Sequence, residues 1–236
     1  MKPTRVLGAL ALITLTGTIA LGLGLPATEE QQTYARFVAI HPPLAWTAYL
    51  AFGVTAAASA LYLWPRTRRA RWDAVAEASA ELGILFTGLT LVTGSLWGRP
   101  TWGVWWTWDA RLTTTALMLV IYLGYLAQRS AVDAGPARAK RSAVVALLAV
   151  VVVPVNHMAV EWWRTLHQGR SLVSLNPGGQ LDGDFVAAMF LGLVAMTLTY
   201  AWLVVLRTQL AEATGRTEAT ALDDALAARR REAVTT

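Results

Sequence analysis

The chain contains no cysteine. That absence excludes disulfides, thiolate metal sites and thiol redox chemistry together. Histidine is scarce as well: His41, His157 and His167 are the only three, so a bound metal is held by imidazole or by oxygen ligands. Charged residues make up 15% of the 236 positions, against roughly a quarter in an ordinary soluble domain. The sequence has no Gly-rich phosphate loop, so the chain does not itself power transport with a nucleotide. It also lacks the Ser-His-Asp pattern of a hydrolase.

What the chain has in excess is apolar sequence. Hydrophobic residues account for 55% of it and mean hydropathy is +0.44, gathered in long runs. The expected fold is therefore all-α, a polytopic integral membrane protein with six transmembrane helices. A net charge of +5 and a pI near 10.0 would suggest nucleic acid in a soluble protein. In a membrane protein the same excess reflects basic residues in cytoplasmic loops, and no nucleic-acid partner is expected.

About twenty helical residues cross a bilayer core. The runs that meet this requirement fall at about 6–25, 43–64, 75–97, 110–126, 143–163 and 185–206. The first is longer than the roughly 7–15 apolar residues of a signal-peptide core and reads as a retained span. Residues 26–40 read as a polar outer loop ending at His41-Pro42-Pro43, where the two prolines suit a helix's first turn. The fifth span is expected to be interrupted at Pro154, Asn156 and His157. Residues 1–206 form the membrane domain and 207–236 a charged tail, read either as a short helix or as disorder. Fifteen of the twenty basic residues, including Arg66, Arg68, Arg69, Arg71, Arg129 and Arg138, fall on one side of this arrangement. The positive-inside rule then makes both termini cytoplasmic and puts all three histidines outside.

Five of the eleven tryptophans lie between Trp97 and Trp108. Gly98, Pro100 and Gly103 are expected to break the helix through the first half of this stretch, making 97–113 an outer, Trp-rich loop. Scattered tryptophans such as Trp46, Trp64, Trp72 and Trp202 fit an interfacial belt. The cluster of Trp102, Trp105, Trp106 and Trp108 is better suited to stacking on a flat ligand. His41, entering the second span, and His157, roughly 21 Å along the fifth at ~1.5 Å per residue, stand at matched depth and can clamp one metal as a bis-imidazole pair. Each can also be an interfacial hydrogen-bonding residue. His167 reads as a solvated residue or packing partner. For a porphyrin, Arg99, Arg111 or Arg164 can pair with the propionates. Asp109 either pairs with Arg111 to hold the loop or orients a ligand group.

The pattern Trp97-Gly98-x-Pro100-x-Trp102-Gly103-x-Trp105-Trp106-x-Trp108-Asp109-x-Arg111-Leu112-Thr113 closely resembles the Trp-rich signature of haem-handling proteins of cytochrome c maturation. With six spans and the segment His157…Glu161-Trp162-Trp163-x-Thr165-Leu166-His167-Gln168-Gly169, the chain resembles the CcmC family over roughly residues 35–206. Pro42 follows His41 directly, where that family often has a small aliphatic residue before its proline. The resemblance implies a bacterial inner-membrane protein that binds haem b non-covalently at its periplasmic face, with His41 and His157 as axial ligands. It implies delivery to the periplasmic haem chaperone CcmE, with CcmD and the ABC transporter subunits CcmA and CcmB as partners. Such a chain is an assembly factor, not a conventional enzyme. The alternatives are a haem lyase, the haem-ligating subunit of a cytochrome c synthase of the other maturation pathway, and a small-solute transporter. The synthase subunit normally has a longer chain with more spans. A transporter needs polar residues at mid-membrane, and the second and sixth spans have almost none.

Overall fold

The computed structural model describes residues 3–29, 31–167 and 183–235. Lys2, Gln168-Gly169 and the stretch Asn176-Pro177-Gly178-Gly179 lie outside the described residues. Among those described the chain is helical, with a single isolated β-bridge between Thr28 and Gln32. The helices are α1 (Pro3–Gly24), α2 (His41–Leu63), α3 (Ala70–Trp102), α4 (Ala110–Ser130), α5 (Pro136–Ala149), α6 (Val152–Trp162) and α7 (Gly183–Thr235). Six segments are long and apolar enough to cross a membrane, with α5 and α6 together making one of them. This is the multi-pass, all-α architecture the hydropathy implies.

The helices hold together where small residues let backbones approach, because lipid is itself apolar and supplies no hydrophobic drive between helices. A Cβ at Gly8 of α1 would stand 2.8 Å from the indole of Trp202 on α7, and one at Gly83 of α3 would stand 2.4 Å from the Phe52 ring of α2. Phe52 in turn stacks on Tyr122 of α4, centroids 3.6 Å apart. Leu44, Ala48 and Ala51 of α2 pack with Leu82 and Phe86 of α3 and Tyr200 of α7. Large side chains such as Ile13, Leu23, Val92, Val120, Leu148 and Phe190 point outward, as a lipid-facing surface requires.

Four local expectations are corrected. First, α3 does not end at Trp97 but winds through Gly98 and Pro100 to Trp102. Pro100 sits in the last turn, so its missing N–H forfeits one bond near the end of the helix instead of breaking its middle. The true stop is Gly103, at φ 79, a left-handed position that glycine adopts without strain; its N–H bonds to the Arg99 carbonyl at 3.0 Å.

Second, the break in the fifth span falls at Val150-Val151, a turn before Pro154. Without an N–H, Pro154 cannot bond the Val150 carbonyl four residues back, and its ring crowds it. Asn156 and His157 are therefore regular residues of α6. Third, residues 26–40 are not simply a polar loop. Thr33–Ala39 forms a short 3-10 helix, and Ala35, Val38 and Ala39 bury against Leu25 and against Phe185, Ala188 and Met189 of α7. Fourth, α7 continues unbroken to Thr235, so the charged tail is helical.

The two ends of the bundle differ in chemistry. At one, Arg129 leaves the expected basic loop and is buried, donating to Asp73 at 2.7 and 3.0 Å and to Glu77 at 2.9 Å. The other end gathers the histidines.

Candidate functional site

At the His41 end, the starts of α2 and α4 meet the ends of α3 and α6. Pro42 and Pro43 open α2, fixing φ where no helical N–H is needed, and this sets His41 at the first position. A Cβ at Gly192 of α7 would stand 2.2 Å from the Ala39 carbonyl oxygen, so only glycine lets α7 press against the turn leading to His41. The imidazole of His41 has Nδ1 3.0 Å from Thr93 Oγ1 of α3 and meets Trp97 edge-on, centroids 5.7 Å apart. Trp97 is itself anchored, donating from Nε1 to Gln31 Oε1 at 3.0 Å.

Asp109 is the N-cap of α4. Its Oδ1 accepts from the Leu112 N–H at 2.8 Å, the usual way a short acidic side chain satisfies a helix start. Its Oδ2 accepts from the Thr165 hydroxyl at 2.8 Å and the Leu166 N–H at 3.2 Å, and lies 3.4 Å from His167 Nδ1. One carboxylate thus starts α4 and ties down the turn that follows α6. Burial raises the Asp109 pKa, but the bonds from Leu112, Thr165 and Leu166, with His167, outweigh it and hold it below the ordinary value. Burial pushes the His167 pKa below its ordinary value of 6.5, only partly opposed by Asp109. His167 is therefore neutral at pH 7, the form in which imidazole ligates metals. Trp102 closes over it, centroids 4.9 Å apart.

Between these elements lies a cavity of about 50 Å³ whose walls include His41, Tyr49, Arg111, Asn156 and His167. Sites that enclose a small molecule have roughly 300–1,000 Å³, so a flat macrocycle is not swallowed by this space. The loop between α3 and α4 leaves Trp105 and Trp108 58% and 80% exposed. The donor set suits such a group. Arg111, which lines the cavity, has a buried Nε without a partner, as Trp106 Nε1 also is, and a buried donor left unpaired costs about 1–3 kcal/mol unless something accepts from it. Carboxylates on a ligand would satisfy Arg111. Among the described residues no cluster of three or more His, Cys, Asp or Glu can hold a bare metal ion. A metal already held by a macrocycle needs only the two axial positions that paired imidazoles fill.

The expected site residues thus divide. His41 and Arg111 line the cavity with His167, and Trp102 and Asp109 touch His167. His157 does not line it: the residue is exposed on α6, its ring edge-on to Tyr49 with centroids 6.1 Å apart. Its carbonyl oxygen accepts from Arg111 Nη2 at 3.2 Å. Asp109 engages Leu112 and residues 165–167 in place of the expected Arg111. Arg99 closes the end of α3, donating from Nη1 to the Gly103 carbonyl at 2.9 Å, and Arg164 is exposed. Trp106 and Trp108 pack edge-to-face at 5.5 Å.

In the sequence, Asn156 marks only an interruption of the fifth apolar run. It is buried, accepts a hydrogen bond from Tyr49 OH, and places Nδ2 3.1 Å from the Arg111 carbonyl, 2.7 Å from Thr114 Oγ1 and 2.9 Å from Thr115 Oγ1. It joins α2, α4 and α6 at the cavity wall. The signal for it was present: a carboxamide inside an apolar run is costly in a bilayer and marks a polar network.

The family model described as "Heme exporter protein C" matches residues 2–222. The chain is similar to Heme exporter protein C of Bradyrhizobium diazoefficiens, 37% identical over 203 residues, 83% of this chain and 74% of that protein. It is also similar to Heme exporter protein C of Haemophilus influenzae, 35% identical over 207 residues, 87% and 83% of the two chains. Heme exporter protein C of Escherichia coli K12 is 36% identical over 171 residues, 71% and 69%.

Proposed function

The chain belongs to the heme exporter protein C family and handles haem for cytochrome c maturation, and on that premise we propose that it holds haem b non-covalently between His41 and His167 for delivery to the chaperone CcmE. The observation that carries the reading is the shared cavity: two imidazoles from distant parts of the chain, with Arg111, on its wall. His167 takes the place that spacing along the chain suggested for His157, because the turn after α6 brings it back over Asp109 to the side of Trp102.

In this reading the haem supplies the iron and the reactive edge, and the chain's residues bind and orient it. Asp109 Oδ2 accepts from His167 Nδ1, leaving Nε2 as the ligating nitrogen; such an acceptor turns the ring and makes it more basic. Arg111 pairs with a propionate. Trp105 and Trp108 offer exposed indole faces for stacking. The binding face is periplasmic and both termini are cytoplasmic, from the bias of basic residues; the membrane is the bacterial inner membrane. CcmD, CcmA and CcmB are its partners in the assembly. Bond formation belongs to the haem and its acceptor, so the chain is a delivery factor.

The test is transfer. Haem-loaded protein mixed with the soluble domain of CcmE is expected to give haem that stays with the chaperone through denaturing electrophoresis. Arg111→Gln and Trp108→Ala are expected to slow that transfer. Haem that remains with this chain over hours, with CcmD present, would overturn the delivery step.

A further inference from the structure

One short stretch of α3 holds the His41 imidazole on three sides. Nδ1 lies 3.0 Å from Thr93 Oγ1. Cε1 passes over Gly94, where a Cβ would stand 2.9 Å away. The ring edge meets Trp97. The Thr93 hydroxyl has one hydrogen, and its own helix takes it: Oγ1 is 2.8 Å from the Leu89 carbonyl and 3.2 Å from that of Thr90. Oγ1 is then left to accept from the imidazole. An N–H of His41 therefore faces α3, and Nε2 keeps its lone pair.

We infer that Thr93 is a positioning residue for His41, fixing the Nδ1–H tautomer so that Nε2 is ready to bind iron, with Gly94 giving the ring room to reach it. This rests on His41 being a haem ligand. A free histidine favours the opposite tautomer, with the proton on Nε2, so a ligand that is not held this way must first move its proton. Here the acceptor is built into the helix that packs against α2, and the imidazole is set before haem arrives. The groups that accept from a ligating imidazole's second nitrogen commonly change metal affinity by about 10–100-fold. A neutral hydroxyl belongs below that range.

Nitrogen-15 spectra of histidine-labelled, haem-free protein in detergent read the tautomer directly. The rate at which the loaded protein loses haem to excess apomyoglobin reads its consequence. In the parent, His41 is expected as the Nδ1–H form. Thr93→Val, of the same shape, is expected to shift it toward the Nε2–H form and to speed haem loss about fivefold, the value of one neutral hydrogen bond. Thr93→Ser restores the hydroxyl and is expected to restore both. Gly94→Ala, which displaces the ring, is expected to speed haem loss with Thr93 intact. An Nε2–H tautomer in the parent, or parental haem loss in Thr93→Val, would overturn the inference. A haem spectrum unchanged in His41→Ala would instead overturn the ligand reading beneath it, so the two failures are distinguishable.

Discussion

The two ends of this bundle bury polar groups on opposite plans. At the Arg129 end, charge is neutralised inside the chain: Arg129, with 2% of its side chain exposed, lies between Asp73 and Glu77, and Arg207 clasps Glu81 at 2.8 and 2.7 Å. At the His41 end, the guanidinium of Arg111 donates to a backbone carbonyl where Arg129 meets two carboxylates, while His167 is held neutral beside it. Paired charge locks helices together; an unmatched guanidinium beside neutral imidazoles leaves bonding capacity for something else. The difference separates what stabilises this protein from what it offers a ligand.

That contrast breaks most readily at Arg129. Arg129→Met leaves Asp73 and Glu77 uncompensated and is expected to cost about 3–5 kcal/mol, read as a large loss of folded protein on thermal denaturation in detergent. If Arg129→Met melts like the parent, the inner pair is not the lock described here. Asn156→Leu comes next. It leaves the Tyr49 hydroxyl without its acceptor and removes the donor to Thr114 Oγ1 and Thr115 Oγ1, and is expected to cost about 1–3 kcal/mol and to loosen haem, because it weakens the tie between α2 and α4 at the cavity wall. Arg111→Gln sharpens the comparison from the other side. Its expected effect is about a tenfold loss of haem affinity, the low end for a charge-assisted bond, with melting within about 1 kcal/mol of the parent. A melting loss as large as that of Arg129→Met would place Arg111 with the stabilising groups.

The smallest expected effect is on pH dependence. The folded His167 pKa lies below the unfolded 6.5, so the unfolded state binds more protons between the two values. Stability of the haem-free protein therefore falls as pH drops from about 6.5 toward the folded pKa, and levels off below it. His167→Gln is expected to flatten that fall, measured as melting temperature against pH. An identical slope in the variant would remove His167 from the account.

The six spans were legible in the sequence because length and hydropathy are local properties. The Trp-rich helix end was not. The cost of Pro100 depends on how far it stands from the stop, and the stop is set by the left-handed turn at Gly103, not by the proline. Pro154 shows the same effect displaced by a turn, since a proline disturbs the carbonyl four residues before it and not its own position. His157 and Asn156 were both visible as polar groups in an apolar run, and depth along a helix could be computed for them. Which side of α6 each faces depends on the packing of α2 and α4. His167 is harder still. Its place beside His41 rests on the turn at 163–167 folding back onto Asp109, a tertiary contact between residues more than fifty apart in the chain. Asp109 itself stood out in the sequence, but as a partner for its neighbour Arg111.

The most direct test of the central claim is the absorption spectrum of the haem-loaded protein beside His41→Ala, His167→Ala and His157→Ala. The site built here predicts a six-coordinate, bis-imidazole spectrum in the parent and in His157→Ala, converted to five-coordinate or lost in each of the other two. A spectrum that survives in His167→Ala and is lost in His157→Ala would contradict it, and would return the second ligand to α6.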